Sequence, residues 1–212
     1  MTATDGTRAA RLPREQRRQQ VLAAALEVFS TEGYHAASMD AIAEHAGVSK
    51  PVLYQHFPGK LDLYLALLDA GLDDLKVASR AALTTTTDNR QRVSAMVSAY
   101  FAFVEDPAGA FRLVFESDLT NEDQVRQRVD AANLTLAKQT AAVIAEDTGL
   151  SDEQALLLAS GLQGMVQVAA RRWLRGNATR MSSEDAAELV TSLAWRGISG
   201  FPMTHPPSGE GS

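Results

Sequence analysis

The chain has 212 residues, a net charge of −6, 45% apolar residues and no cysteine. So much apolar content supports a real core in one or two domains, and the missing thiols exclude disulfides, thiolate metal sites and cysteine nucleophiles. Met1 to Pro13 is polar and lacks the apolar centre of a secretory signal. The longest uncharged stretch, Gln154 to Ala170, has 17 residues. A bilayer span needs about 20, so a cytoplasmic chain without a membrane partner is expected.

The charge is unevenly divided. Residues 1–60 hold seven Lys/Arg against six Asp/Glu, whereas 61–212 hold thirteen against twenty. Contact with a polyanion depends on the local field rather than the sum.

In chain order, residues 1–13 read as a disordered arm without periodicity. A helix is predicted from about Arg14 to Thr31, with Val21, Leu22, Ala25, Leu26, Val28 and Phe29 as its apolar stripe and Gly33 as its stop. Ser38 to Lys60, SMDAIAEHAGVSKPVLYQHFPGK, reads as two short helices joined at Ala46-Gly47-Val48, the plan of a helix-turn-helix. Ser38 and Ser49 suit the two N-caps, and Gly47 suits a left-handed turn residue. With Leu53 and Phe57 inward, the outer side of the second helix presents Pro51, Val52 and Gln55, flanked by Tyr54 and led by Lys50. Pro58-Gly59 then breaks the chain.

From Leu61 onward the pattern is helical. Predicted helices cover Leu61–Leu83, Arg90–Val104, Ala110–Glu116, one capped by Asn121 and reaching about Glu146, one from Ser151 to about Arg175, and one from Ser183 ending at Gly200. Ser151 with Gln154 forms a capping-box pattern. The fold class is therefore all-α: an N-terminal three-helix head containing the helix-turn-helix, and a larger C-terminal helical body. The divisions expected are an arm (1–13), a head (14–60), a body (61–200) and a flexible tail (201–212).

Two runs, REQRRQQVLAAALEVFSTEGY (14–34) and SMDAIAEHAGVSKPVLYQHF (38–57), followed by Pro-Gly-Lys, resemble the DNA-binding domain of the TetR family of bacterial transcriptional regulators. The likeness covers about residues 14–65. It implies a homodimer whose heads read a palindromic double-stranded operator, and a body binding an unidentified small-molecule effector that releases DNA. Repression is the implied sign. Carried onto this chain, Ser38 and Ser49 would meet phosphates, and Lys50, Pro51, Val52 and Tyr54 would face the major groove. Lys50 suits guanine O6 and N7, while Pro51 and Val52 suit a thymine methyl. Tyr54, His56 and Lys60 would reach phosphates, and Gln55 is open between adenine reading and solvent exposure. Asp40 stands where some relatives carry a basic or polar residue, so it is expected to cap or turn away.

In the body, the helix from Leu156 to Leu174 is apolar around most of its circumference and needs cover on two sides. With the likeness, this implies a dimer surface through Leu158, Leu162 and Met165 together with Leu189, Leu193 and Trp195. Met96, Tyr100, Phe103, Phe111 and Phe115 concentrate aromatic and apolar bulk, which either walls a ligand cavity or is plain core. Gln163 and Gln167, four apart on an apolar helix, are the polar candidates for orienting a ligand, with Asn133.

Enzyme chemistry fits poorly. No histidine pair has ligand spacing, no nucleophile elbow or phosphate loop is complete, and no metal or cofactor is implied. The competing readings are a helical protein-interaction module that keeps the head fold without operator binding, and an all-helical enzyme.

Overall fold

The computed structural model describes residues 13–106, 119, 122–176 and 181–197. Eight α-helices occur among them: α1 (Arg14–Ala36), α2 (Met39–His45), α3 (Lys50–His56), α4 (Lys60–Thr84), α5 (Asn89–Glu105), α6 (Asp123–Thr148), α7 (Asp152–Arg175) and α8 (Ser183–Arg196). No described helix is long and apolar enough to cross a membrane. Phe111, Phe115, Asn121, Gly200, the predicted helix over Ala110–Glu116 and the tail lie outside the described residues, as does nearly all of the arm.

Local chemistry sets most boundaries. Gly33 at φ 78° breaks α1, and one further helical turn carries the chain to Ala36. Gly47 at φ 61° makes the turn between α2 and α3, a conformation that a side chain adopts only under strain. Ser38 Oγ accepts from Ala41 N at 3.0 Å, whereas Ser49 holds the N-cap position of α3 without a side-chain cap bond. The expected capping role of Ser49 is thus not formed. Both bonds of the Ser151–Gln154 capping box are present, at 3.3 and 3.0 Å. Glu122, not Asn121, is the N-cap residue of α6, whereas α8 starts at Ser183 as expected, with Ser182 as its cap.

Two cores result. The first joins Val21, Phe29, Ile42, Leu53 and Phe57 of the head to Leu63, Leu68 and Leu72 of α4 and to Val125 and Ala132 of α6. The second joins Leu75 of α4, Val97 and Phe101 of α5, Leu136 of α6, Val166 of α7 and Val190 of α8. The packing boundary therefore does not fall at residue 60. Helices α4 and α6 each start in the head's core and continue into the body's. Lateral movement of either helix in the body must strain the head's seat, because close-packed interiors transmit displacement.

Candidate nucleic-acid interface and body cavity

Leu53 and Phe57 are buried in the head, which turns the other side of α3 outward. Ser49, Lys50, Pro51, Tyr54 and Gln55 are exposed, and Val52 and His56 are half-buried. Beside α3 lies an open cleft of about 740 Å³, walled by Ser49, Val52, Gln55 and His56 and, from α1, by Arg14 and Arg17. Those two arginines were not singled out from the sequence. Their sign, in the first turns of a helix next to the helix-turn-helix, was the available clue. Arg17 donates to Gln20 Oε1 at 3.2 Å and Gln20 Nε2 donates to the Ala46 carbonyl at 2.8 Å, so the α1 wall is bolted to the α2–α3 turn. The cleft sets cationic side chains on one bank and a short helix with an uncharged ridge on the other. That combination suits a phosphate backbone alongside base edges.

Lys50 and Asp40 form an ion pair, Nζ to Oδ2, at 2.6 Å, with both side chains about 60% exposed. Asp40 therefore neither caps nor turns away; it stands beside the first residue of α3. Lys60 departs from the expected phosphate contact. Its Nζ donates to the carbonyls of Tyr34 at 2.8 Å, Ala37 at 2.9 Å and His35 at 3.4 Å. An ammonium has three donors, and all three are taken by the end of α1. These partners lie 23 to 26 residues away and leave no mark in the local sequence.

In the body, a narrow space of about 40 Å³ lies among α4, α5, α6 and α7, with Met96, Tyr100, Thr140 and Gln163 among its walls. The Tyr100 hydroxyl is buried there without a hydrogen-bond partner. Burial pushes its pKa well above the usual tyrosine range, and the Arg171 charge opposes this without cancelling it. Gln163 and Gln167 both donate to Asn133 Oδ1, at 3.0 and 2.8 Å. Of the sequence candidates, Met96, Tyr100 and Gln163 thus meet at the cavity. Gln167 faces Asn133, and Phe103 stacks obliquely on Tyr100 at 6.2 Å without reaching the space. Leu75, Ser79, Ala99, Leu136, Ala159 and Val166 complete the lining and were missed, because nothing local distinguishes them from core.

A second, apolar groove of about 320 Å³ opens between α5 and α6 and shares Met96 and Thr140 with the narrow space. Leu162 and Trp195 line it. The outward stripe of α7 instead carries Leu157, Leu158, Gly161 and Val168, all exposed, with Met165 half-buried between them. Leu189 and Leu193 are exposed on α8. The two expected dimer positions Leu162 and Trp195 therefore sit partly in the groove, and Leu157 and Val168 join the outward face.

This arrangement defines a helix-turn-helix transcriptional regulator. The family description "Bacterial regulatory proteins, tetR family" matches residues 21–67. The chain is 47% identical over 194 residues to the HTH-type transcriptional activator FasR of Mycolicibacterium smegmatis, covering 92% of this chain and 88% of that protein. A TetR-like transcriptional regulator from Rhodococcus sp. RHA1 superposes with a TM-score of 0.70 at 30% identity, covering 90% of this chain and all of that one. The chain belongs to the TetR family of DNA-binding transcriptional regulators. Its fold is also that of FadR from Bacillus subtilis, solved in complex with stearoyl-CoA, with a TM-score of 0.71 at 20% identity over 85% of this chain and 98% of that one.

Proposed function

We propose that the protein is a homodimer that reads a palindromic operator and is switched by an amphipathic effector with a long apolar chain. The observation that carries DNA reading is the outward set of α3, Lys50, Pro51, Val52, Tyr54 and Gln55, opposite the buried Leu53. Ser49 and His56 border that set, Ser38 stands at the N-cap of α2 as a further phosphate donor, and Arg14 and Arg17 supply cations for the backbone.

Dimerisation rests on the outward stripe of α7 and α8. Leu157 is 74% exposed and Val168 61% exposed in the single chain. A methyl group built at Gly161 or Gly164 would meet nothing within 4 Å in this chain. Glycine inside a helix costs about 1 kcal/mol against alanine, and no neighbour within the protomer calls for it. Close approach by a second copy of the same helix does, so that α7 and α8 of two protomers form a four-helix bundle.

The effector reading rests on the cavity. A space of about 40 Å³ is apolar apart from the Tyr100 hydroxyl, Thr140, Ser79 and Gln163. It has room for about three or four waters, since each needs about 10–15 Å³. An acyl chain has to displace Met96 and spread α5 from α6, joining the cavity to the outer groove. Because α6 also seats in the head's core through Val125 and Ala132, a widened body favours a different head separation. Two heads reading successive major grooves about 34 Å apart tolerate little change in that separation. The FadR complex with stearoyl-CoA supports a cavity of this kind within the same fold.

The relative at 47% identity is an activator, which supports activation rather than the repression implied by the family likeness. A reporter driven by the chain's own upstream DNA tests the sign: deletion lowers expression for an activator and raises it for a repressor. Fluorescence anisotropy with the same DNA tests operator binding, and adding stearoyl-CoA tests the effector class. Binding no tighter than to random duplex would overturn the operator reading. Unchanged affinity in saturating stearoyl-CoA would overturn the acyl-chain reading.

A further inference from the structure

We infer that Asp40 and Lys50 together read one G·C pair in each half-site, Lys50 on the guanine and Asp40 on the cytosine. The inference rests on the operator reading above and adds a residue, Asp40, whose charge opposes DNA binding when taken singly.

The geometry is a donor beside an acceptor at a fixed spacing. Lys50 Nζ and Asp40 Oδ2 lie 2.6 Å apart, from helices α3 and α2, and both side chains are about 60% exposed. In a G·C pair the guanine O6 and the cytosine N4 are hydrogen-bonded to each other, so they stand about 2.9 Å apart on the major-groove edge. The protein pair and the base-pair edge are complementary at matching spacing. The ammonium can donate to O6 and N7 of guanine while the carboxylate accepts from the free N4–H of cytosine.

The other base pairs match less well. Against T·A in the orientation that keeps donor on acceptor, Lys50 meets thymine O4 and its methyl group, and Asp40 meets adenine N6. The adenine N7 lone pair then lies beside the carboxylate, and the ammonium loses its second acceptor. Reversing either pair sets like against like. Phosphate repulsion of Asp40 is offset by the ammonium at 2.6 Å, so the unit approaches DNA as a nearly neutral dipole. It adds little to sequence-independent affinity, which depends on net phosphate neutralisation. A lone lysine at this position would grip any phosphate in reach.

The experiment selects duplexes from a randomised pool with full-length wild-type protein and with Asp40→Ala, then measures anisotropy on the selected sites and on duplexes with each G·C pair changed to A·T. Wild type is expected to require one G·C pair per half-site, losing about tenfold or more when it is exchanged. D40A is expected to lose most of that discrimination at this pair alone, and to bind random duplex more tightly. Asp40→Asn is expected to fall between them, since its amide can still accept from N4. Replacing that guanine by 7-deazaguanine should weaken wild type and not Lys50→Ala. Asp40 is exposed and its loss should leave the melting temperature unchanged, which is checked on the same samples. A D40A protein with undiminished G·C preference at every position would overturn the paired reading while leaving operator binding intact. A wild type without sequence preference would overturn both.

Discussion

Lys60 stands over the Tyr34 ring, 4.4 Å from its centroid, and donates to the Tyr34 backbone carbonyl at 2.8 Å. The first residue of α4 is thereby tied to the last turn of α1, beside the packed rings of Phe29, Tyr34 and Tyr64. A cation against the free carbonyls of a helix end is favoured by the helix dipole. The tie also couples α4, which runs into the body, to the helix that carries Arg14 and Arg17.

Lys60→Ala should therefore lower stability by about 2–4 kcal/mol, the sum of a charge-assisted bond and a cation–π contact. The salt dependence of DNA binding should be unchanged, because this ammonium has no free donor for a phosphate. Arg14→Ala and Arg17→Ala should do the reverse, each flattening the log–log salt slope by about 0.9 per phosphate lost. Thermal melts and salt-titrated anisotropy on the three variants separate the cases. A flattened slope for K60A would return Lys60 to the DNA contacts.

Tyr54 and Leu53 are neighbours on α3 with opposite surroundings: Tyr54 is 47% exposed and Leu53 fully buried. Tyr54→Ala should weaken operator binding while leaving stability within about 0.5 kcal/mol of wild type. Leu53→Ala should cost about 2–5 kcal/mol through the cavity left in the head core. Chemical denaturation with an operator titration reads both. A Y54A protein with full affinity would remove Tyr54 from the interface.

Leu158→Glu or Leu193→Glu should yield a folded monomer by light scattering with unchanged far-ultraviolet circular dichroism. Leu158 is 50% and Leu193 36% exposed in the single chain, so a charge at either position costs only part of a core leucine's packing. A persisting dimer in both variants would move the interface off α7 and α8.

Tyr100 and Tyr34 set an alkaline limit. Burial raises both, with the Glu122 and Asp62 charges adding to the rise at Tyr34. A folded-state pKa above the unfolded value gives stability that is complete below about pH 10 and is lost as pH climbs further. The melting temperature should fall above about pH 10, and less steeply in Tyr100→Phe. At neutral pH that variant should be as stable as wild type or slightly more so, since it removes a buried hydroxyl with no partner. Equal alkaline slopes in the two proteins would show that Tyr100 is not the group responsible. If the hydroxyl meets an effector, Y100F should also weaken the release of DNA by stearoyl-CoA.

What could be read from the chain alone was short-range. Gly33, Gly47 and Gly149 at positive φ, the Ser38 cap and the Ser151–Gln154 box involve residues at most four apart, and their conformational preferences act before any tertiary contact exists. The inward set Leu53 and Phe57 follows from helical periodicity, which leaves Val52 half-buried and Tyr54 exposed. Only the folded chain decides who partners the charges and where the voids lie. Lys50 meets Asp40 ten residues away, Lys60 meets carbonyls more than twenty residues away, and Gln163 meets Asn133 thirty residues away. Whether an apolar side chain is core or cavity wall likewise depends on how four helices fail to close around Tyr100. Spacing along one helix carries no information about that gap.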